Sequence, residues 1–167
     1  MAGKEGKLFE ADVKNSIPPD VFYYRIKDPA QSFGRDSRFT RFSLKNECDC
    51  FIFKKPVLVA AELKSNQSTS ISLSRSKEEK GKDIKWDQIQ FLTFAKMFDL
   101  RAGFLLNYRK TENTYWIEID NFNKFLEENC KKSINEEDLV KYDAVLVNSK
   151  KLRTRFRYDL SFLWEGD

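Results

Sequence analysis

Apolar and polar positions alternate along the chain in a way that predicts a short series of helices and strands. Apolar side chains recur at helical spacing over residues 5–16 and two prolines follow, so a first helix is expected there. Residues 21–26 are rich in β-branched and aromatic side chains and predict a strand. Residues 49–64 contain two apolar runs separated by Lys-Lys-Pro, which predicts a hairpin of two strands covered on both faces.

The second half of the chain continues this alternation. Residues 84–98 are apolar around much of the helical circumference, which predicts a long and well-buried helix. The remaining pattern predicts strands at 102–108, 115–119 and 144–147, a helix that Asp120 caps and that ends near residue 129, a short helix from about Asn135, and a closing apolar segment at 158–163. The order of elements predicts an α/β domain with a mixed central sheet flanked by helices.

Two polar segments interrupt the pattern. Residues 27–46 are polar with phenylalanines interleaved, and they predict a basic and aromatic arm at about 27–48. Residues 65–83 are polar and rich in serine, so a loop is expected, with one short ordered piece at 71–73. Neither an internal repeat nor a strong linker divides the sequence, and residues 1–167 are therefore expected to form a single domain.

The absence of histidine narrows the possible chemistry. None of the 167 residues is His, which excludes imidazole-ligated zinc sites and both Ser-His-Asp and Cys-His catalysis. An active site must then be built from carboxylates, Lys, Arg, Tyr, Ser or Gln. The net charge of +4 permits a nucleic-acid partner without requiring one.

Cysteine content and hydropathy indicate the compartment. Three cysteines are an odd number and too few for a disulfide framework, which favours a reducing environment. The sequence has neither an apolar run of membrane-spanning length nor a signal peptide. We expect a cytoplasmic protein with no membrane partner, in which Cys48 and Cys50 are buried thiols.

The predicted hairpin brings charged side chains together. If Lys55 and Pro56 form a two-residue turn, residues that face each other across the strands have numbers that sum to 111, and Asp49 lies opposite Glu62. Strand alternation puts Lys64 on the same face as Glu62. Two opposed carboxylates in an otherwise apolar sheet are unfavourable unless a hard cation such as Mg²⁺ balances them. The alternative is a structural Glu62–Lys64 neighbourhood at a sheet edge, with Asp49 ending a turn.

The hairpin and several further blocks resemble a known family. The chain resembles the RecU-type Holliday junction resolvases of low-GC Gram-positive bacteria and their phages, within the PD-(D/E)xK nuclease superfamily. The matching blocks are GKLFEADV at residues 6–13, DCFIFKKPVLVAAELKS at 49–65, TSISL at 69–73, WDQIQFL at 86–92, GFLLNY at 103–108, KSINEEDL at 132–139 and RFRYDLSFL at 155–163. The resemblance implies a restriction-endonuclease-like fold, a homodimer, Mg²⁺ or Mn²⁺ as cofactor, and paired symmetric nicks in branched double-stranded DNA.

The same resemblance assigns roles to individual residues. Asp49 and Glu62 match the metal-binding carboxylates of the family, and Lys64 matches its catalytic lysine. Glu10 matches the acidic residue of the first helix, which is a third candidate metal ligand and part of the catalytic set. The alternative for Glu10 is an ordinary i,i+4 helix pair with Lys14.

Gln88 completes the catalytic set that the resemblance implies. It matches a glutamine that the family places near the site, and it falls on an apolar stripe of the predicted helix at 84–98, where a buried polar side chain needs a partner. The alternative is a glutamine at the boundary of the helix surface.

Three further groups are candidate DNA contacts, because cations and hydroxyls can meet phosphates while aromatic rings stack on unpaired bases. They are Arg35, Arg38 and Arg41 in the predicted arm, Thr69 and Ser70 in the serine-rich loop, and Arg153, Arg155 and Arg157, which strand alternation would place on one face. The alternatives are an excursion tethered by buried phenylalanines, a flexible turn and a solvated basic face.

These observations lead to a functional hypothesis. The chain is expected to be a Mg²⁺-dependent, structure-selective endodeoxyribonuclease that resolves four-way junctions. Two alternatives stay open, namely a nuclease of the same superfamily that acts on linear or other branched DNA, and a non-catalytic DNA-binding recombination accessory.

Overall fold

The computed structural model describes residues 2–26 and 48–165. Four α-helices lie in these ranges, namely α1 (Ala2–Ser16), α2 (Trp86–Lys96), α3 (Ile119–Glu128) and α4 (Glu136–Lys141). The strands there are β1 (Phe22–Arg25), β2 (Cys50–Lys54), β3 (Val57–Asn66), β4 (Ser70–Ser72), β5 (Arg101–Tyr108), β6 (Asn113–Glu118), β7 (Ser133–Asn135), β8 (Val145–Leu146), β9 (Ser149–Lys151) and β10 (Phe156–Tyr158), followed by one 3₁₀ turn at Ser161–Leu163. Within the described ranges, none of the helices has the length and apolar character needed to cross a bilayer.

A six-stranded mixed sheet organises the fold. Its strand order is β1-β2-β3-β5-β6-β8, in which β3 and β5 are parallel and every other neighbouring pair is antiparallel. Two small sheets, β9 with β10 and β4 with β7, lie beside it. The predicted mixed α/β fold with flanking helices is therefore confirmed.

The hairpin of β2 and β3 has the register that the sequence predicts. Cys50 faces Ala61 and Lys54 faces Val57, so facing residues sum to 111 as expected. One step beyond the last pair of β2, this register places Asp49 opposite Glu62. Because side chains alternate along a strand, Glu62 points to one face of the sheet and its neighbours on β3 point to the other.

Each face of the sheet is covered by its own apolar core. The first face packs against α1 and the C-terminal segment, and its buried side chains include Phe9, Val13, Cys50, Ala61, Leu63 and Trp116. The second face packs against α2 and α3, and its buried side chains include Ala60, Ile89, Leu92, Phe104, Leu106 and Phe122. Covering both faces explains why the strands are nearly continuous apolar runs.

Helix α2 is less buried than its composition predicted. Its buried positions form one stripe, consisting of Gln88, Ile89, Leu92 and Ala95. Phe94 is 56% exposed, and Met97 and Phe98, just beyond the helix, are 76% and 63% exposed. The expectation of a helix buried around most of its circumference was wrong, because α2 lies on the sheet with one face and next to α3 along one side.

The starts of α3 and α4 agree with the sequence prediction to different extents. Glu118, the last residue of β6, occupies the N-cap of α3, and Asp120 lies within the first turn. The predicted Asp120 cap is therefore wrong, because the chain enters the helix directly from the strand with Ile119 fully buried. The short helix predicted from about Asn135 is confirmed as α4, and the Asn135 side chain caps it by accepting a hydrogen bond from the backbone N–H of Asp138 at 2.8 Å.

Gly103 tests how closely β5 and β6 approach. A Cβ atom at this position would meet the carbonyl oxygen of Ile117 and would lie 2.7 Å from the Trp116 ring. We expect Gly103→Ala to lower the free energy of unfolding by about 3 kcal/mol, because neither the backbone nor a buried indole can move aside. The measurement is chemical denaturation followed by circular dichroism.

Gly6→Ala is the matched control for this substitution. Nothing lies within 4 Å of the Cβ that it would add, and Gly6 lies inside α1. The control should raise stability by roughly 0.5–1 kcal/mol. Equal effects of the two substitutions would contradict the close approach at Gly103.

Candidate active site at the start of the hairpin

Asp49 and Glu62 form the centre of the candidate site. Glu62 lies on β3 with 1% of its surface exposed, among apolar residues of the second face. Asp49 Oδ2 accepts a hydrogen bond of 2.8 Å from the backbone N–H of Leu63, the residue after Glu62. Backbone hydrogen bonds from Asp49 to Ala61 and from Ile26 to Asp49 fix the main chain there. These hydrogen bonds hold the Asp49 carboxylate beside Glu62.

Two donors converge on one oxygen of Glu62. The Lys64 ammonium lies 2.7 Å from Glu62 Oε1, and Gln88 Nε2 donates to the same oxygen at 2.5 Å. Gln88 Oε1 in turn accepts the backbone N–H of Lys85, the N-cap residue of α2, at 3.0 Å. Gln88 is 7% exposed, so it is buried against the site and does not lie at the helix surface.

The protonation of Glu62 reflects this setting. The pKa of Glu62 is raised to about 8, mainly because the side chain is buried; Lys64 opposes this increase and the nearby Asp49 carboxylate adds to it. Burial thus outweighs a contacting ammonium group. The folded chain therefore holds a proton on Glu62 at a pH where an exposed glutamate would be ionised.

Asp49 and Glu62 offer carboxylate oxygens, the ligands that a hard divalent cation prefers. Glu62 Oε2 is buried and has no hydrogen-bond partner among the described residues, although Oε1 has two. In the part of the chain that the structure describes, no three Asp, Glu, Cys or His side chains are grouped to hold a metal ion. Two carboxylates suffice for Mg²⁺, which is commonly bound by one or two carboxylates together with waters and substrate phosphate. Asp49 and the uncompensated oxygen of Glu62 fit such an ion.

Glu10 does not form a three-carboxylate group with this pair among the described residues. It is on α1, which packs on the first face of the sheet, whereas Glu62 and Lys64 point to the second. The Glu10 carboxylate forms an ion pair with Arg25 at the end of β1. The predicted three-carboxylate set is therefore brought together only in part. Arg25 was not singled out from the sequence, because its partner depends on how α1 packs on the sheet and not on local spacing.

The first group of predicted DNA contacts, Arg35, Arg38 and Arg41, lies outside the described residues. The second group, Thr69 and Ser70, lies near the surface. Thr69 is exposed just after β3, and Ser70 is half-buried as the first residue of β4. Thr69 and Ser70 remain candidate contacts, five and six residues along the chain from Lys64.

The arginines at 153–157 do not share one face. Only Phe156–Tyr158 forms a strand there, so the alternation assumed from the sequence does not extend back to Arg153. Arg155 points to α1, where its Nε lies 2.5 Å from Asp12 Oδ1 and a terminal nitrogen donates to the Leu8 carbonyl at 3.1 Å. Arg155 therefore joins the C-terminal segment to α1, whereas Arg153 and Arg157 are exposed.

Comparisons with known proteins give similarities of limited extent. No family model matches the chain. It is 38% identical over 124 residues to the SPbeta prophage-derived uncharacterized protein YotM of Bacillus subtilis (strain 168), an alignment that covers 72% of this chain. The chain spans 59% of the length of that relative. A solved structure of Archaeoglobus fulgidus Hjc, a Holliday junction resolvase from an archaeal hyperthermophile, superposes with a TM-score of 0.48 and 19% identity, covering 80% of this chain and 90% of the other.

The raised pKa of Glu62 predicts a pH-dependent stability. Folding favours the protonated carboxyl, so this contribution is complete below the ordinary value of 4.5 and is lost as the pH rises through about 8. Glu62→Gln removes the titration and keeps the oxygen that Gln88 and Lys64 contact. In EDTA we expect the variant to melt roughly 4–8 °C above the wild type at pH 9, a gain of about 2 kcal/mol, with little difference at pH 4.

Glu127→Gln is the control for this experiment, because Glu127 is exposed on α3. It should leave the Tm unchanged at both pH values. A Glu62→Gln effect of the same size at pH 4 and pH 9 would contradict the proposed cause, since a general packing change does not follow the ionisation of Glu62.

The contact between Asp12 and Arg155 predicts a structural role for that arginine. The Asp12 side chain is 8% exposed, and Arg155→Ala leaves its buried carboxylate without this partner. We expect a loss of about 3 kcal/mol in the free energy of unfolding, measured by thermal and chemical denaturation. Asp12→Asn combined with Arg155→Ala should recover part of this loss, because the unpaired charge is then removed.

Arg157→Ala is the matched control, since its exposed side chain should change stability by less than about 0.5 kcal/mol. If Arg155→Ala leaves stability unchanged and weakens DNA binding instead, the structural role is wrong and the original prediction of a DNA contact stands.

Proposed function

We propose that the chain is a Mg²⁺-dependent endodeoxyribonuclease that resolves four-way DNA junctions. The observation that carries this proposal is a pair of carboxyl groups, in which the buried Glu62 lies beside Asp49 and has a lysine on one of its oxygens. Two carboxyl groups side by side at this depth are unfavourable unless a proton or a cation is shared between them. The arrangement suits a site that gains a cation and a phosphate.

Asp49 and Glu62 are the residues that would hold the cation. A bound divalent cation polarises phosphoryl oxygens and lowers the pKa of a water molecule, which is the usual chemistry of metal-dependent phosphodiester hydrolysis. The participation of Glu10, a third ligand in the family that the sequence resembles, would require its ion pair with Arg25 to open.

Lys64 supplies positive charge where the scissile phosphate would lie. Its ammonium is held by Glu62 and its side chain is 19% exposed, so it is neither fully buried nor free to sample the solvent. Positive charge in a partly desolvated site stabilises the extra negative charge that develops on phosphoryl oxygens. In the reaction, water oxygen bonds to phosphorus, the bond from phosphorus to the 3′-oxygen breaks, and the products carry a 3′-hydroxyl and a 5′-phosphate.

Gln88 and the Leu63 N–H act as positioning groups. The Gln88 amide oxygen accepts the backbone N–H of Lys85, and this contact directs the amide nitrogen at Glu62. The Leu63 N–H holds one oxygen of Asp49. These contacts restrict the rotation of both carboxylates before any ligand binds, and such preorganisation lowers the barrier of the chemical step.

The junction is proposed as substrate from the resemblance of the sequence blocks to RecU-type resolvases. A four-way junction has two-fold symmetry, so a homodimer with a two-fold axis would present two sites for paired nicks. The predicted arm with Arg35, Arg38 and Arg41, together with Thr69 and Ser70, provides candidate contacts to such branched DNA.

Asp49→Asn tests the proposed function. We expect the wild type to nick a labelled four-way junction at symmetric positions in Mg²⁺ and to leave it intact in EDTA. The variant should cleave at least about 100-fold more slowly, because it loses one of the two carboxylates that hold the cation, while junction binding in EDTA stays unchanged. Cleavage rates and gel-shift affinities are measured on the same preparations.

Asp20→Asn is the control, since Asp20 forms an exposed ion pair with Lys54 at the other end of the hairpin. It should cleave at the wild-type rate. Equal cleavage of a matched linear duplex would replace the resolvase with a general nuclease. Tight binding without cleavage in Mg²⁺ or Mn²⁺ would exclude the nuclease and favour an accessory DNA-binding role.

A further inference from the structure

A second feature adjoins the candidate site at the start of α2. The segment between β4 and α2 and the first turn of that helix enclose a cavity of about 320 Å³. Its lining is dominated by four lysines and one aromatic ring, together with two carboxylates: Lys77, Lys80, Lys82, Lys85, Trp86, Glu79 and Asp87. No sequence pattern singles out this cavity, because its lysines are interspersed with acidic residues in a stretch that has the composition of a polar loop.

Two acidic residues of this segment, Glu79 and Asp83, have hydrogen-bond or ion-pair partners outside the cavity lining. Glu79 accepts the backbone N–H of Arg75 at 2.8 Å and the Lys132 ammonium at 3.1 Å. Asp83 accepts the backbone N–H and the hydroxyl of Ser72, at 3.1 and 2.8 Å. These contacts hold both carboxylates toward the protein.

The lysines of the cavity have no such partners. Across residues 2–26 and 48–165, no carboxylate lies within ion-pair distance of the ammonium groups of Lys77, Lys80, Lys82 or Lys85. Four ammonium groups therefore line the cavity beside the two carboxylates of Glu79 and Asp87. A cluster of ammonium groups around a concavity attracts anions and, above all, phosphates.

Trp86 adds a surface on which a base can stack. It is half-buried, whereas the other two tryptophans are core residues, Trp116 at 1% and Trp164 at 7% exposure. Aromatic side chains next to lysines are the usual platform for unpaired nucleotides, because every base has a π-face. A cavity of this volume is suited to a single nucleotide and not to a base-paired duplex.

The cavity is physically connected to the candidate active site. The backbone N–H of Lys85 is bonded to Gln88 Oε1, and Gln88 Nε2 is bonded to Glu62. Lys85, which lines the cavity, is thus linked to the carboxylate through one side chain, three residues further along α2.

We propose that this cavity binds an unpaired DNA strand next to the scissile phosphate, with the lysines on its phosphates and Trp86 under a base. The proposal rests on the proposed function for its biological meaning, since it supplies a strand-binding groove to that same site. A cavity that binds an unpaired strand would also favour a substrate with unpaired or splayed nucleotides over a continuous duplex.

The test uses tryptophan emission, because Trp86 is the half-buried indole. The full chain is titrated in EDTA with a thymidine oligonucleotide of about eight residues, a length within the usual range of single-strand sites. We expect quenching by the oligonucleotide and much weaker quenching by a blunt duplex or by thymidine monophosphate. In EDTA the result does not depend on cleavage.

Charge-matched variants identify the surface that binds. Lys77→Ala, Lys80→Ala and Lys82→Ala together should weaken oligonucleotide binding about tenfold at low salt and make the log–log salt slope shallower by about 2. The control combines Lys55→Ala, Lys110→Ala and Lys124→Ala, which are exposed lysines away from the cavity, and should leave affinity unchanged. Trp86→Phe should abolish most of the quenching while the Tm confirms that the variant is folded.

The outcomes separate this proposal from the proposed function. Equal losses from the two lysine triples, or quenching that persists in Trp86→Phe, would overturn the strand-binding cavity even if junction cleavage is observed. Quenching that depends on the cavity lysines, in a protein that cleaves no DNA in Mg²⁺ or Mn²⁺, would support the cavity and overturn the nuclease. Stronger binding of the duplex than of the oligonucleotide would also overturn the cavity as a single-strand site.

Discussion

The burial of Glu62 is the constraint on which the rest of the site depends. A carboxylate at 1% exposure in an apolar sheet is unfavourable in its ionised form, and the pKa of about 8 expresses that cost. Lys64 and Gln88 offset part of this cost through their contacts to one oxygen of Glu62. Because the Gln88 side chain also accepts the backbone N–H of Lys85, the same side chain contacts the start of α2 and orients Glu62.

The surrounding architecture keeps this arrangement rigid. Strand β3 lies inside the sheet with a strand on each side, so the backbone that carries Glu62 and Lys64 cannot shift without breaking two ladders. Helix α1 covers the opposite face, and its contacts include Arg155 on Asp12 and Arg109, which donates to the Glu5 carbonyl at 2.7 Å and to Ser65 at 2.9 Å. These contacts join α1 to the C-terminal segment and to β3.

The sequence was sufficient for those features that depend on local periodicity. The two-residue turn at Lys55-Pro56 and the alternation of β3 correctly place Asp49 opposite Glu62, because register follows from turn length once both strands are identified. The position of Glu10 could not be obtained in this way, since it depends on which face of the sheet α1 covers. The same is true of Arg155, whose partner Asp12 is 143 residues away in the chain.

Packing between distant elements also explains the remaining differences. The composition of α2 indicated a helix apolar on most sides, but how much of it is buried depends on how many neighbours surround it, and this helix leaves Phe94 exposed. The charge distribution of the segment from Arg75 to Asp87 likewise depends on packing, because two of its acidic residues are held by Ser72, Arg75 and Lys132. An almost neutral sequence can therefore place a cluster of lysines around one cavity. At the start of α2 these two effects meet, since the helix turn that positions the buried carboxylate also carries the lysine and the tryptophan that face solvent.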